Sequence, residues 1–204
     1  LKWWMDGSFA VHPNMRGHTG GGLSMGRGFP IVNSTKQKLN TRSSTESEIV
    51  GVDDCMPAIC WTRYFMDAQG YGIQENIVFQ DNKSAILMEK NGKASSSKRT
   101  KHINIRYYFV TDRINKKELT VEWCPTGDMI GDYMTKPTQG ALFRKFRDQI
   151  MGVVPAQDPG PGKVKKKKPL KEKRVRMVPP SQKGKKQTHR SVLEYDARRA
   201  QTTS

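Results

Sequence analysis

The chain opens on a short, mostly apolar run, and from Ser43 the apolar positions recur at helical spacing. Leu1 to Ala10 reads as a hydrophobic strand with Asp6 in its middle, and His12-Pro13-Asn14 is turn chemistry. Gly20 to Gly26 and Phe29 to Asn33 predict two further strands, with Gly26-Arg27-Gly28 turning between them, so the chain opens as an antiparallel meander. Ser43-Ser44-Thr45-Glu46 has the capping-box form, and a long helix follows to Met66 or Asp67 with Glu48, Val52, Cys55, Met56 and Ile59 on one stripe. Pro57 removes a backbone donor inside this helix and predicts a kink. A short apolar strand, Ile77 to Gln80, then stops at Asp81, and a helix runs from Asn82 to about Lys90.

The remaining pattern is a helix from His102 to about Lys116, a strand over Leu119–Trp123, a short helix over Asp128–Lys136 stopped by Pro137, and a helix over Gly140–Met151. Ile103, Tyr107, Val110 and Ile114 form the apolar stripe of the first helix, leaving Arg106 and Arg113 elsewhere on its surface. In the last helix Leu142, Phe143, Phe146 and Ile150 point inward and Arg144, Lys145 and Arg147 outward. The order, three strands, helix, strand, two helices, strand, two helices, predicts an α/β domain over residues 1–153.

Composition divides the chain at that boundary. From Pro155 onward there are 15 Lys/Arg against 4 Asp/Glu, so the end of the chain holds most of the net charge of +17. Pro155 to Gly162 is a Pro/Gly linker and the Lys-rich run beyond it has few apolar residues, so residues 154–204 are expected to be a linker and a disordered basic tail. Lys163 to Arg176 fits a nuclear-localisation signal, a salt-sensitive nucleic-acid tether or a solubilising end. Cys55, Cys60 and Cys124 show no metal-ligand spacing and are an odd number, which argues against a zinc site or a disulfide framework and for a reducing compartment. No run of about 18 apolar residues is present to span a membrane, and no signal-peptide pattern opens the chain. Leu1 opens directly into a strand-like run, which suggests a piece of a longer polyprotein.

Acids sit within the first strand, early in the first long helix, after the fourth strand and near the start of a late helix. Brought together across a sheet, such carboxylates would repel and raise one another's pKa values unless a hard divalent cation joined them. On the first helix the residues leave two readings for Glu48. It heads the apolar stripe, as a ligand would, and it also fits a capping box with Thr45.

Four stretches carry a family resemblance: Ser43-Ser44-Thr45-Glu46-Ser47-Glu48, Gln80-Asp81-Asn82-Lys83-Ser84-Ala85, Arg99-Thr100-Lys101-His102-Ile103-Asn104-Ile105-Arg106-Tyr107, and Asp128-Met129-Ile130-Gly131-Asp132-Tyr133-Met134-Thr135-Lys136-Pro137. In this order they resemble the ribonuclease H domain at the C-terminal end of the reverse transcriptase of copia-type retrotransposons, over about Trp3 to Gly152. The resemblance implies a ribonuclease H-like mixed five-stranded sheet, three antiparallel strands and then two more, with helices on both faces. It implies catalytic, metal-binding acids at Asp6, Glu48, Asp81 and Asp132, with Glu46 as the capping residue and Asp128 the alternative to Asp132 if the register slips by one turn. Two Mg²⁺ ions, or Mn²⁺ in their place, would be the cofactors of phosphodiester cleavage.

The implied substrate is the RNA strand of an RNA/DNA hybrid, read by duplex shape and 2′-hydroxyls. Asn82 and Ser84 would lie by the scissile bond and Lys98, Arg99, Lys101 and Arg106 on phosphates. The implied partner is an upstream reverse transcriptase domain, and the implied setting is intracellular: the cytoplasm, a retrotransposon particle, or the nucleus through the basic tail. Two departures stand out. The family commonly has Asp-Ala-Asp-Trp-Ala where this chain has Asp6-Gly7-Ser8-Phe9-Ala10, and no His lies in Cys124 to Gly127 before the last acid. His12, His18 and His102 read as surface or turn residues. The rivals are a catalytically degenerate retroelement module that only binds nucleic acid and an integrase core of the same superfamily, which a Glu on the first long helix before the central Asp disfavours.

Overall fold

A computed structural model describes residues 1–92 and 104–159. Strands β1 (Lys2–Ser8), β2 (His18–Ser24) and β3 (Ile31–Lys36) form the meander, and β4 (Ile77–Gln80) and β5 (Thr120–Trp123) extend it on the other side in the order β3-β2-β1-β4-β5. β1 pairs antiparallel with β2 and parallel with β4, and β5 is parallel to β4. The sheet is therefore mixed, as expected.

Alternation along the central strands decides which helices cover which face. Trp3 and Met5 of β1, Leu23 of β2, Val78 of β4 and Val121 of β5 point into one core with α1 (Ser44–Ala68), α2 (Lys83–Asn91) and α3 (Asn104–Asn115). Trp4 and Phe79 point to the opposite face, where they meet Cys124, Met129, Ile130 and Phe146 of α5 (Gly140–Ile150). Trp4 is wholly buried there, its ring 5.0 Å from that of Phe79 and 5.5 Å from that of Phe29. Helices thus lie on both faces, the arrangement of a ribonuclease H-like α/β fold.

Local chemistry sets the element ends. Ser43 Oγ accepts the Glu46 N–H at 3.2 Å to start α1, while Glu46 Oε2 reaches one residue further back than in the usual capping box, accepting the Arg42 N–H at 2.6 Å. α1 continues unbroken through Pro57, which faces solvent. Asn82 starts α2 by accepting the N–H groups of Ser84 and Ala85 at 3.0 and 3.1 Å.

The structure alters three expectations. The helix predicted over Asp128–Lys136 forms only as a 3₁₀ turn, Thr126–Asp128, followed by α4 over Asp132–Thr135. The chain leaves helical geometry at Met129, with ψ at 88°, and Gly131, where α4 starts, lies so near β1 that a Cβ there would be 3.1 Å from both the N and Cβ of Asp6. Phe143, predicted inward, is exposed and stacks on Tyr133 at 5.2 Å. The first residues of the expected linker are fixed as well: the Ala156 N–H donates to Gly26 O at 3.2 Å and Lys2 Nζ pairs with Asp158 at 2.5 Å. Lys163 to Arg176 lies outside the described residues. Among those described, no helix is long and apolar enough to cross a membrane.

Behind β4 sits a polar pair in the core. Gln80 and Glu89 are fully buried, and among the described residues neither the carboxyl oxygens nor the amide atoms complete a hydrogen bond. Burial pushes the Glu89 carboxyl up to about 8, partly opposed by the nearby Gln80 amide.

Candidate active site

Parallel pairing of β1 with β4 brings two acids to one edge. The register matches Lys2 with Ile77, Trp3 with Val78 and Trp4 with Phe79, so Asp6 and Asp81, each two residues further on, emerge beside each other past the paired segment. Asp6 points away from the α1 core, on the same side of β1 as Trp4.

Glu48 comes in from the first turns of α1. The strand and helix approach so closely that a Cβ on Gly7 would lie 2.3 Å from Ser47 O, and only glycine allows it. That contact lets the Gly7 N–H donate to Glu48 Oε2 at 3.0 Å, which fixes the carboxylate toward the strand ends. Asp6, Glu48 and Asp81 each present a carboxylate oxygen within 4.8 Å of the others. Asp6 and Glu48 are buried and Asp81 is half-buried. Burial raises the Glu48 pKa well above the usual carboxylate value, and the charges of Asp6 and Asp81 raise it further.

Asp132, at the start of α4, flanks this trio. It is buried, and burial together with the charges of Asp6 and Asp81 lifts its pKa to about 6 against the opposing hydrogen bond from Lys136. Lys136 Nζ donates to Asp132 Oδ1 at 2.6 Å and lies 3.4 Å from Asp6 Oδ1. Burial works against the Lys136 ammonium, but Asp6 and the hydrogen bond to Asp132 outweigh it and its pKa is raised. Asp128 faces elsewhere, paired with Lys145 at 2.6 Å, so of the two acids in that motif Asp132 is the one beside the cluster.

Neighbouring hydroxyls orient the acids. Thr135 Oγ1 donates to Asp6 Oδ2, and Thr126 Oγ1 donates to Asp81 Oδ2 at 3.2 Å. Trp123 Nε1 donates to Asp81 O at 3.2 Å, tying the end of β4 to β5. Ser8 is buried and donates to Thr135 O at 3.4 Å. Thr126, Thr135 and Lys136 escape a reading that looks only for acids. The one signal for Lys136 is its spacing of four after Asp132, which puts a cation on the same helical face.

The expected nucleic-acid contacts divide. Asn82 adjoins Asp81 but spends its side-chain oxygen capping α2, and Ser84 is exposed on the first turn of that helix. Arg106 is engaged rather than free on the surface: its Nη1 lies 2.6 Å from Asp53 and 3.7 Å from Asp54 of α1. Lys98, Arg99 and Lys101 lie outside the described residues.

The donor set fits a hard divalent cation. Three carboxylates from three segments converge, and among the described residues the cation bound to the edge of the cluster is a single lysine, Lys136.

The chain is similar to segments of plant retrotransposon proteins. It is 28% identical over 151 residues to the retrovirus-related Pol polyprotein from transposon TNT 1-94 of Nicotiana tabacum, covering 74% of this chain and 11% of that protein. It is 30% identical over 118 residues to the Pol polyprotein from transposon RE1 of Arabidopsis thaliana, covering 57% of this chain and 8% of that protein. Over 122 residues it is 30% identical to the RE2 polyprotein of the same plant, covering 59% and 8%. The chain thus spans about a tenth of the length of the curated relatives it matches. No protein-family model and no solved structure matches it. These likenesses support a retrotransposon pol region of the copia type.

Proposed function

We propose that this chain is a ribonuclease H that hydrolyses the RNA strand of RNA/DNA hybrids during retrotransposon reverse transcription. The observation that carries the reading is the convergence of Asp6, Glu48 and Asp81, drawn from β1, α1 and the end of β4, with ligand oxygens within 4.8 Å. Asp6, Glu48 and Asp81 would hold Mg²⁺, or Mn²⁺ in its place, and Asp132 would complete the set for a second ion. Bound there, the metal supplies the positive charge and water activation that phosphodiester hydrolysis needs.

The chain's own groups prepare that site. The Gly7 N–H holds Glu48 in place, and the Thr135 and Thr126 hydroxyls each occupy one oxygen of Asp6 and Asp81, while Lys136 stands at the other oxygen of Asp6, where a metal would have to displace it. Lys136 neutralises Asp132 and the edge of Asp6 until a metal or substrate arrives. In this reading Ser84, exposed one turn beyond Asp81, would meet the substrate backbone, and Lys98, Arg99 and Lys101 would supply further phosphate contacts.

A second reading, a degenerate module that binds nucleic acid without cutting it, draws on the same lysine: an acid cluster partly neutralised from within needs less metal to be stable. One experiment separates the two. The purified chain is incubated with a labelled RNA/DNA hybrid and Mg²⁺ beside Asp81→Asn. Cleavage of the RNA strand by the parent and its loss in the variant is the expected result. A folded parent chain that binds the hybrid and leaves the RNA intact would assign the binding module instead.

A further inference from the structure

Away from the carboxylates, at the turn joining β1 to β2, two histidine rings face each other. His12 Nε2 lies 3.1 Å from His18 Nδ1, with the ring centroids 5.3 Å apart. The turn that brings them together is closed by the Met15 N–H donating to His12 O at 2.8 Å and the His12 N–H donating to Arg16 O at 3.2 Å. Both rings are half-buried. We propose that this pair is a transition-metal site, in which His12 Nε2 and His18 Nδ1 bind an imidazole-preferring divalent ion such as Zn²⁺ and water fills the remaining positions.

Hydrogen-bond accounting fixes one ligand in the metal-ready form. Ser34 Oγ donates its single hydrogen to Met134 O at 2.9 Å, and a carbonyl can only accept. The same Oγ lies 2.9 Å from His18 Nε2, so there it accepts, and His18 must carry its proton on Nε2. Its Nδ1 lone pair therefore points at His12. Ligating histidines commonly present this pattern, the second ring nitrogen donating to an outer oxygen that sets the tautomer. Without metal, His12 fills the gap with an Nε2–H donated to His18. When the ion enters, the proton leaves His12 Nε2 and His12 adopts the Nδ1–H tautomer, so both facing nitrogens offer lone pairs to an ion beside them.

The spacing also suits an ion. Zn–N bonds of about 2.0–2.1 Å at a tetrahedral angle put two ligating nitrogens about 3.3 Å apart, and a square-planar cis pair about 2.9 Å apart. The observed 3.1 Å lies between these values, so the nitrogens need little change of separation, and a turn of the rings makes the two lone pairs converge on an ion beside the N···N line. Burial and the neighbouring His12 lower the pKa of His18, which keeps the ring neutral and favours a cation over a phosphate as the ligand. Among the described residues, the only group of at least three His, Cys, Asp or Glu side chains placed to share an ion is the carboxylate trio, so the histidine pair is a separate site with two protein ligands. Through Ser34 and Met134 it is wired to α4, and a bound ion would pin the β1–β2 turn to the helix that carries Asp132.

The test uses the full chain with Mg²⁺ in excess to fill the carboxylates, and Zn²⁺ titrated calorimetrically. One Zn²⁺ site is expected that weakens at least tenfold in His12→Ala and in His18→Ala, and by roughly ten- to a hundredfold in Ser34→Ala. Ring-nitrogen NMR of the unsubstituted chain gives a readout that no variant can spoil. The metal-free chain should show His18 as the Nε2–H tautomer, and Zn²⁺ should shift His12 Nε2 and His18 Nδ1 before the nitrogens of His102 or His189. Equal Zn²⁺ affinity in parent and both alanine variants, or an Nδ1–H tautomer for His18, overturns the proposal.

Discussion

Replacing the buried Glu89 by Gln should make the protein more stable at neutral and alkaline pH while changing little in acid. The carboxyl is fully buried and its pKa stands at about 8. An unfolded glutamate titrates near 4.3 to 4.5, so the folded chain holds this proton more tightly than the unfolded one. A raised folded pKa means that the contribution is fully present below about pH 4.5 and is lost as the pH climbs through about 8. Each pH unit in that window costs about 1.36 kcal/mol, so at pH 7 the parent has given up on the order of 3 kcal/mol. Gln has nearly the same shape, cannot ionise, and offers Gln80 an N–H. Urea unfolding of parent and Glu89→Gln from pH 5 to pH 8.5 measures the effect. The two curves should lie close together near pH 5 and separate steadily, with the variant ahead by a few kcal/mol at the alkaline end. Parallel curves across the whole range would refute the reasoning, because they would mean that Glu89 ionises alike in both states.

Other outcomes follow from the site and the core. The pKa values of Glu48 and Asp132 are both raised, so their contribution to metal-free stability is present at low pH and declines as the pH rises, through about 6 for Asp132; Mg²⁺ should therefore raise the melting temperature more at about pH 7.5 than at about pH 5, as a thermal-shift series will show. Lys136→Met removes the cation that competes for Asp6 and Asp132, and should lower metal-free stability by about 1 kcal/mol, given its partial exposure, while tightening Mg²⁺ several-fold by calorimetry. Phe146→Ala opens the core on the α5 face and should cost about 3–5 kcal/mol in urea unfolding, with Asp81 chemistry affected only through stability.

The sequence pattern showed the strands and helices because alternation and the 3.6 period report which side chains are buried. Glu48 at the head of an apolar stripe is readable for that reason, whereas the split of Trp3 and Met5 from Trp4 across the two faces of β1 emerges only in the packed sheet. What stayed hidden depends on contacts between distant segments. Nothing in Asp128 to Lys136 announces that the chain leaves helical geometry at Met129 and that Gly131 then packs against Asp6. The commitment of Arg106 to Asp53 is likewise a contact between α3 and α1 that periodicity along either helix does not contain. Tautomers are hidden for the same reason, since the proton on His18 is placed by a serine and a carbonyl from two other elements.

The side-by-side exit of Asp6 and Asp81 from paired parallel strands bears on how the molecule assembles. β1 and β4 are separated by β2, β3 and α1, so their ladder closes one of the longer loops in the domain, a contact that folds late because its entropy must be met before it is rewarded. No partly folded chain that lacks this pairing has the two acids together. Under the proposed function, capture of a divalent ion would therefore report completed folding: in a stopped-flow refolding experiment, Mn²⁺ binding should rise with the last kinetic phase, not with the helical signal that precedes it.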